Sequence, residues 1–265
     1  MPETPINATC PWSGKPTTPD SVTLWQGWPV GFCNPGCRDK FAAAQAHFTA
    51  ALPQPRRLRP AAPPAALAAA LAEAALVVID AQGEYGPAGA LPLEGLDSAL
   101  AALARLLEAA RAAGAPVLHV AHRGAPGGLF DRAAPGGAFL PVASPAPGEA
   151  VVEKTLPDAF AGTPLAEALA ATGRRAVLLA GFMTHNCIAA TAHAALSRGL
   201  AVSIAADATA TRALPGAAGA PAISAAALQA ATLAGLADRV ALVAPVEEIL
   251  ADVREAGATA AEAVA

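Results

Sequence analysis

Two sets of side chains in this sequence have the types and spacing to do chemistry, and each includes cysteine. Of the four cysteines, Cys10, Cys33 and Cys37 fall within the first forty residues, while Cys187 stands alone in the segment GFMTHNC. Two separate jobs are the simplest account, because four cysteines do not make a disulfide scaffold in a chain of 265 residues. Around Cys187 the chemistry on offer is nucleophilic acyl transfer. A helix N-terminus and a neighbouring lysine both lower a thiol pKa, and Cys187 opens a helical stretch. Asp80, at the end of VVID, could take the thiol proton and return it to a leaving amine. Lys154, in VVEKTLPDAF, supplies the cation. Backbone N–H groups in the turn before the helix could hold an oxyanion.

These residues meet only if distant segments place them at one rim, and the pattern from Ala65 onward provides for that. Short apolar runs alternate with amphipathic stretches: strands at Leu76 to Ile79, Pro116 to Val120, Val151–Val152, Ala176 to Ala180, Ala201 to Ala205 and Val240 to Val243. Between them lie helices at Leu91 to Gly114, Thr163 to Thr172, Ile188 to Arg198 and Pro221 to Leu236, with a last one at Val246 to Val253. Strands apolar on both faces, alternating with helices, predict a parallel sheet covered on both sides, an α/β fold of doubly wound type. Ligands then bind outside the carboxyl ends of the strands, which is where Asp80, Lys154 and Cys187 fall. A Gly/Pro-rich excursion, Gly124 to Gly148, reads as a flexible cover or interface loop.

Residues 1–52 form a different unit. They hold all three tryptophans, many turn-formers, a short hairpin at Ser21 to Phe32, and a helix after Cys37 with Phe41, Ala44 and Phe48 on one face. Such a small core calls for a staple such as a metal. The spacing Cys10-x22-Cys33-x3-Cys37 can present three thiolates to one ion, and soft thiolates suit zinc or copper(I). His47, Asp39 or water could complete the set. Residues 53–64, PQPRRLRPAAPP, carry five prolines in twelve positions and read as a semi-rigid linker, or an extended arm packed on the body. Residues 65–265 make the larger domain.

VVIDAQ around Asp80, VVEKTLPDAF around Lys154 and LLAGFMTHNCIAATAHAAL around Cys187 resemble the three blocks of the isochorismatase-like cysteine hydrolase family, in order, over roughly Leu76 to Leu250. The resemblance implies a Rossmann-like parallel sheet of about six strands. It also implies Asp80 as general base, Lys154 as assisting cation and Cys187 as nucleophile. A non-proline cis peptide between Phe182 and Met183 would aim the Met183 and Cys187 amides at the oxyanion. Gln82 and Phe160 correspond to pocket-lining positions. His122 and Arg123, past the second strand, and His185, inside the Cys187 turn, are further candidates for substrate contact or loop structure. Zinc-dependent nicotinamidases of the family carry Asp-x-His, which this chain lacks, so no cofactor is expected for catalysis. A nucleophilic cysteine implies a C–N bond as target: an amide, ureido or carbamoyl compound. Separately, CPWSGKP with GFCNPGCRDKF resembles a YHS- or TRASH-type metal-binding module.

Plainer roles stand beside these. A free cysteine is often simply buried, an aspartate can cap a turn, and a lysine can be solvated. A second functional reading is a metal-binding or metal-sensing protein with a catalytically idle hydrolase-like body. Composition excludes other classes. Seventeen basic against twenty-one acidic residues give a net charge of −4, and aromatics are 4% of the chain, which fits neither nucleic-acid binding by counterion release nor base stacking. The most apolar stretch, Ala61 to Ile79, is interrupted by Pro63, Pro64 and Glu73, so no membrane span is expected. MPETPINATC lacks the basic and apolar regions of a signal peptide. The expectation is a cytoplasmic homo-oligomer acting on a small molecule.

Overall fold

A computed structural model describes residues 4–25, 28–51 and 73–251. The linker segment 53–64, the Phe48 side chain and the tail beyond 251 lie outside the described residues. The chain divides into two compact units, Met1–Arg56 and Arg57–Ala265. The first carries an antiparallel pair, β1 (Val22–Trp25) and β2 (Trp28–Gly31), followed by helix α1 (Pro35–Ala51). Its core is small: Cys10, Val30 and Phe32 are buried, with Cys33, Cys37 and Phe41 packed against them.

The second unit is built on one six-stranded sheet. Its strands are β3 (Ala74–Ile79), β4 (Val117–His122), β5 (Ala150–Lys154), β6 (Ala176–Phe182), β7 (Ala201–Ala210) and β8 (Leu242–Ala244). All neighbours are parallel, in the order β5-β4-β3-β6-β7-β8. Every residue of β3 is buried, as a central strand covered on both faces requires. Its side chains alternate: Ala74, Leu76 and Val78 enter one core, Ala75, Val77 and Ile79 the other. The first core is closed by α2 (Leu96–Ala112) and a helical segment at 246–251. The second is closed by α3 (Leu165–Ala171), α4 (Ala189–Ser197) and α5 (Ala225–Arg239). On α2 the residues at 96, 99, 103, 106, 107 and 110 are all buried, the i, i+3, i+4 stripe of a core-facing helix. Burial of each of its inner leucines is worth about 2 kcal/mol.

From β3 the chain runs outward through β4 to β5, then returns to lay β6 on the other side of β3. That reversal opens a crevice at the strand ends between β3 and β6, the switch point where open α/β sheets bind ligands. Gly181 makes the close approach there possible. Its φ is +109°, and a Cβ would stand 2.0 Å from the Ile79 carbonyl oxygen, so no other residue fits.

The strands extend further toward their carboxyl ends than the apolar runs indicate. β4 reaches His122 and β5 reaches Lys154, because polar strand-end residues continue the ladder without continuing the hydrophobic pattern, and β6 runs through Gly181 to Phe182. The excursion at 124–148 is irregular but not loose, contrary to its reading as a flexible cover. Leu140 N–H donates to Ala81, Gly83 N–H to Ala138 and Glu84 N–H to Gly136, stapling it to the segment after β3. No helix among the described residues is long and apolar enough to cross a membrane.

Candidate active site

Asp80, Lys154 and Cys187 converge. Asp80 follows β3 with φ at 49°, a left-handed conformation that aspartate tolerates better than most residues. Lys154 closes β5, two strands away, and its long side chain spans β4 to reach the centre. Cys187 lies in a five-residue π-helical turn, Thr184–Ile188, which leads from β6 into α4. Lys154 Nζ is 2.6 Å from Asp80 Oδ2 and donates to Cys187 Sγ at 3.2 Å. All three residues are buried, none more than 3% exposed. Neither Asp80 oxygen has a well-aligned hydrogen bond among the described residues, so the close ion pair dominates its surroundings. The peptide between Phe182 and Met183 is cis.

The electrostatics differ from expectation at the sulfur. Burial pushes the Cys187 thiol up to about 12, the Asp80 carboxylate pushes the same way, and Lys154 opposes them. A helix N-terminus and a lysine were expected to lower it; in a buried turn beside an anion, desolvation wins. Burial likewise raises the Asp80 carboxyl, against the pull of Lys154. The thiol is therefore held neutral beside a carboxyl whose proton affinity burial raises, a match that suits proton transfer.

The other candidates divide. His122 joins the centre: it is half-buried, and its Nδ1 lies 3.2 Å from Lys154 Nζ. Gln82 is buried nearby, but its amide is engaged. Its Nε2 donates to the carbonyls of His122 and Gly137 at 3.0 and 2.8 Å, and its Oε1 accepts from His122 N–H at 2.7 Å. It holds the excursion against β4. His185 hydrogen-bonds Thr211 with its Nδ1, while Thr184 donates to the Ala210 carbonyl, tying the cysteine turn to the end of β7. Arg123 points outward in an ion pair with Glu153. Phe160 belongs to the same buried apolar cluster as Cys187. Its ring carries the Arg198 guanidinium at 4.6 Å and lines a groove with Arg174, Arg175 and Leu200, the residues that lead into β6 and β7 at the opposite end of the sheet.

Three residues near the centre escaped the sequence reading. Tyr85 is buried, with its ring 5.2 Å from that of Phe130 and 5.9 Å from that of Phe182. Burial raises its phenol, and the charges of Asp80 and Cys187 add to this. Phe130 has φ at 58° and rests its ring 5.1 Å from His122. Arg212 brings positive charge to both Tyr85 and His185, with its Nε buried and unpartnered among the described residues. One signal was available: Tyr85 is the sole tyrosine in the chain.

In the first unit, the sulfurs of Cys10, Cys33 and Cys37 all lie within 4.8 Å of one another, and Cys33 and Cys37 are 3.8 Å apart. A tetrahedral ion with metal–sulfur bonds of about 2.3 Å sets its sulfurs roughly 3.8 Å apart, so the donor set fits. Ser13 Oγ is 3.1 Å from Cys33 Sγ, and Asn34 donates to the same sulfur at 3.3 Å. Neither Asp39 nor His47 belongs to this cluster; the Asp39 carboxylate pairs with Arg38 at 2.8 Å.

An α/β sheet with acid, ammonium and thiol at its switch point defines a hydrolase-type body. Residues 74–248 match the Isochorismatase domain model, and the chain belongs to that family. A secreted isochorismatase effector, Isc1, of Verticillium dahliae is 38% identical over 169 residues, which are 63% of this chain and 84% of that one. Maleamate amidohydrolase of Pseudomonas putida is 36% identical over 141 residues, 47% of this chain and 66% of that one. The crystal structure of an isochorismatase from Pseudomonas putida KT2440 superposes with a TM-score of 0.67 at 38% identity, covering 73% of this chain and 98% of that one. The cysteine cluster precedes the matched residues.

Proposed function

We propose that this protein is a cysteine hydrolase that cleaves a C–N bond in a small amide, ureido or carbamoyl compound through a thioester on Cys187. One observation carries the reading: the single ammonium of Lys154 touches both the Asp80 carboxylate and the Cys187 sulfur inside a buried site. That a relative at 36% identity is an amidohydrolase supports the bond type. Asp80 takes the thiol proton as the sulfur attacks the substrate carbonyl carbon. Lys154 steadies the anion as it forms, and the Met183 and Cys187 amides would receive the oxyanion. As the C–N bond breaks, Asp80 returns the proton to the departing nitrogen. Water, deprotonated by the same carboxylate, then hydrolyses the thioester. Tyr85, Phe130 and Met183, which share one buried apolar cluster, would wall the acyl side, and an anionic substituent would meet Arg212. A panel of small amides and carbamoyl compounds assayed with wild type and Cys187→Ala tests this. The expected result is turnover by the former and none by the latter; equal rates would falsify the mechanism.

The first unit supports a separate reading, carried by its three converging sulfurs. Cys10, Cys33 and Cys37 would hold zinc or copper(I), which when bound would cross-link the knuckle at Cys10 to the start of α1. Retention of about one equivalent of zinc by wild type, and its loss in Cys33→Ser, is the expected result. If the metal is retained but Cys187→Ala changes nothing, the protein is a metal-binding one with an idle body.

A further inference from the structure

We infer that His122 is a fourth member of the catalytic centre, a positioning residue that completes the coordination of the Lys154 ammonium and thereby sets how readily Cys187 ionises. This rests on the hydrolase reading. An ammonium has three N–H donors and no acceptor. In a buried site each donor needs a partner, because an orphaned one carries the full desolvation penalty. Lys154 Nζ has three acceptors within reach: Asp80 Oδ2 at 2.6 Å, Cys187 Sγ at 3.2 Å and His122 Nδ1 at 3.2 Å. The first two are the reacting groups; the third is His122.

The fold holds that third contact from two directions. His122 and Lys154 are register partners on the adjacent parallel strands β4 and β5, so their side chains rise from the same face of the sheet at the same level. Behind the imidazole stands Phe130, held at a positive φ that a bulky residue adopts only where the surroundings enforce it. Phe130 N–H reaches Glu84 Oε1 at 3.4 Å and Gly124 N–H donates to the Phe130 carbonyl at 3.0 Å. The His122 backbone is in turn fixed by Gln82. Accepting from an ammonium commits Nδ1 to its lone pair, so the neutral ring carries its proton on Nε2. The charged groups that act on it are Lys154 and Asp80, and burial with Lys154 outweighs Asp80 in disfavouring the imidazolium. A protonated His122 would set a second cation against Lys154 and remove the acceptor.

The test uses acetyl transfer from 4-nitrophenyl acetate to Cys187, followed by nitrophenolate release and by peptide mass mapping of the acetyl group, across pH 5 to 9. In this step the sulfur–acyl bond forms, the ester C–O bond breaks and Asp80 takes the thiol proton. His122→Phe keeps a ring but removes the acceptor; His122→Asn sets a non-titrating oxygen near the place of Nδ1. The expected result is acetylation roughly ten- to a hundredfold slower in His122→Phe and largely restored in His122→Asn. The acid-side fall of wild type should flatten in His122→Asn. Acetylation of Cys187 at the wild-type rate and with the wild-type pH profile in His122→Phe would overturn the role of His122 and leave the hydrolase intact. No nitrophenolate release by wild type above that of Cys187→Ala would instead overturn the hydrolase reading, and this inference with it.

Discussion

Cys187 and Cys10 are both buried, and their thiols move in opposite directions. Desolvation is the largest influence on each and raises both. At Cys187 the nearest anion adds to it, and the thiol ends at about 12. At Cys10 desolvation is outweighed by the Ser13 hydroxyl and by backbone N–H groups of Cys33, Trp12 and Ser13, and the thiol ends at about 6. Burial alone therefore does not say what a cysteine is for; the donors and charges aimed at its sulfur do. The first unit readies an anion in advance, which suits a cationic ligand. The larger unit keeps a neutral thiol beside a carboxyl whose proton affinity burial raises.

The sharpest consequence falls on Asp80, which raises the Cys187 thiol and is the base in the proposed mechanism. Asp80→Asn should lower turnover by about 10²–10⁴-fold while bringing the thiol pKa down from about 12. Turnover of a substrate amide and ultraviolet titration of the thiolate measure the two separately. A variant whose thiol stays as high as before would mean that desolvation, not the carboxylate, governs the sulfur.

A smaller effect is expected in the first unit. In metal-free protein, the alkylation rate of Cys10 by iodoacetamide should level off just above its pKa of about 6, while that of Cys187 continues to climb toward high pH. Ser13→Ala removes the largest lowering influence on Cys10, so its levelling point should move upward and its rate at pH 6 should fall severalfold. An unchanged profile would assign the low value to the backbone amides alone.

Much of this contrast was legible from residue types, and what was not is physically explicable. The α/β alternation followed from runs such as AALVVI, whose burial on both faces admits one kind of sheet. Asp80 and Lys154 fall where such strands end, and Cys187 in the turn that follows one. Local sequence does not reveal that the Phe160 ring also carries the Arg198 guanidinium, because that contact joins distant segments. Arg123 lies just past the end of β4 and pairs with Glu153, a contact with the neighbouring strand that local sequence does not show. The rise of the Cys187 thiol was missed because the helix dipole and the lysine are visible in sequence, while desolvation depends on atoms brought in from β3, β5 and the excursion. Tyr85 and Phe130 were overlooked on the same ground, since their rings gain meaning only by meeting His122 and Phe182.

The balance between burial and donors also operates where no chemistry is done, and there it should appear as stability. His119 lies mid-strand in β4, fully buried, and its Nε2 is 2.8 Å from Glu149 Oε2. Glu149 also accepts from Arg111 at 2.8 and 2.9 Å and from Ala146 N–H at 2.7 Å. Burial would raise Glu149, but these partners hold it down to about 2. Burial lowers His119 from 6.5, with the Glu149 carboxylate opposing. Both groups bind fewer protons folded than unfolded in acid, so their stabilisation is complete at neutral pH and drains as pH falls. The share of His119 drains below about 6.5, and that of Glu149 below 4.5 toward about 2. Glu149→Gln removes the second share and, by removing the carboxylate that opposes burial at His119, enlarges the first. The melting temperature of the variant should start about 2–4 °C below wild type at pH 7, with the two curves converging below pH 4.5. Parallel curves down to pH 3 would show that the donors around Glu149 do not outweigh its burial.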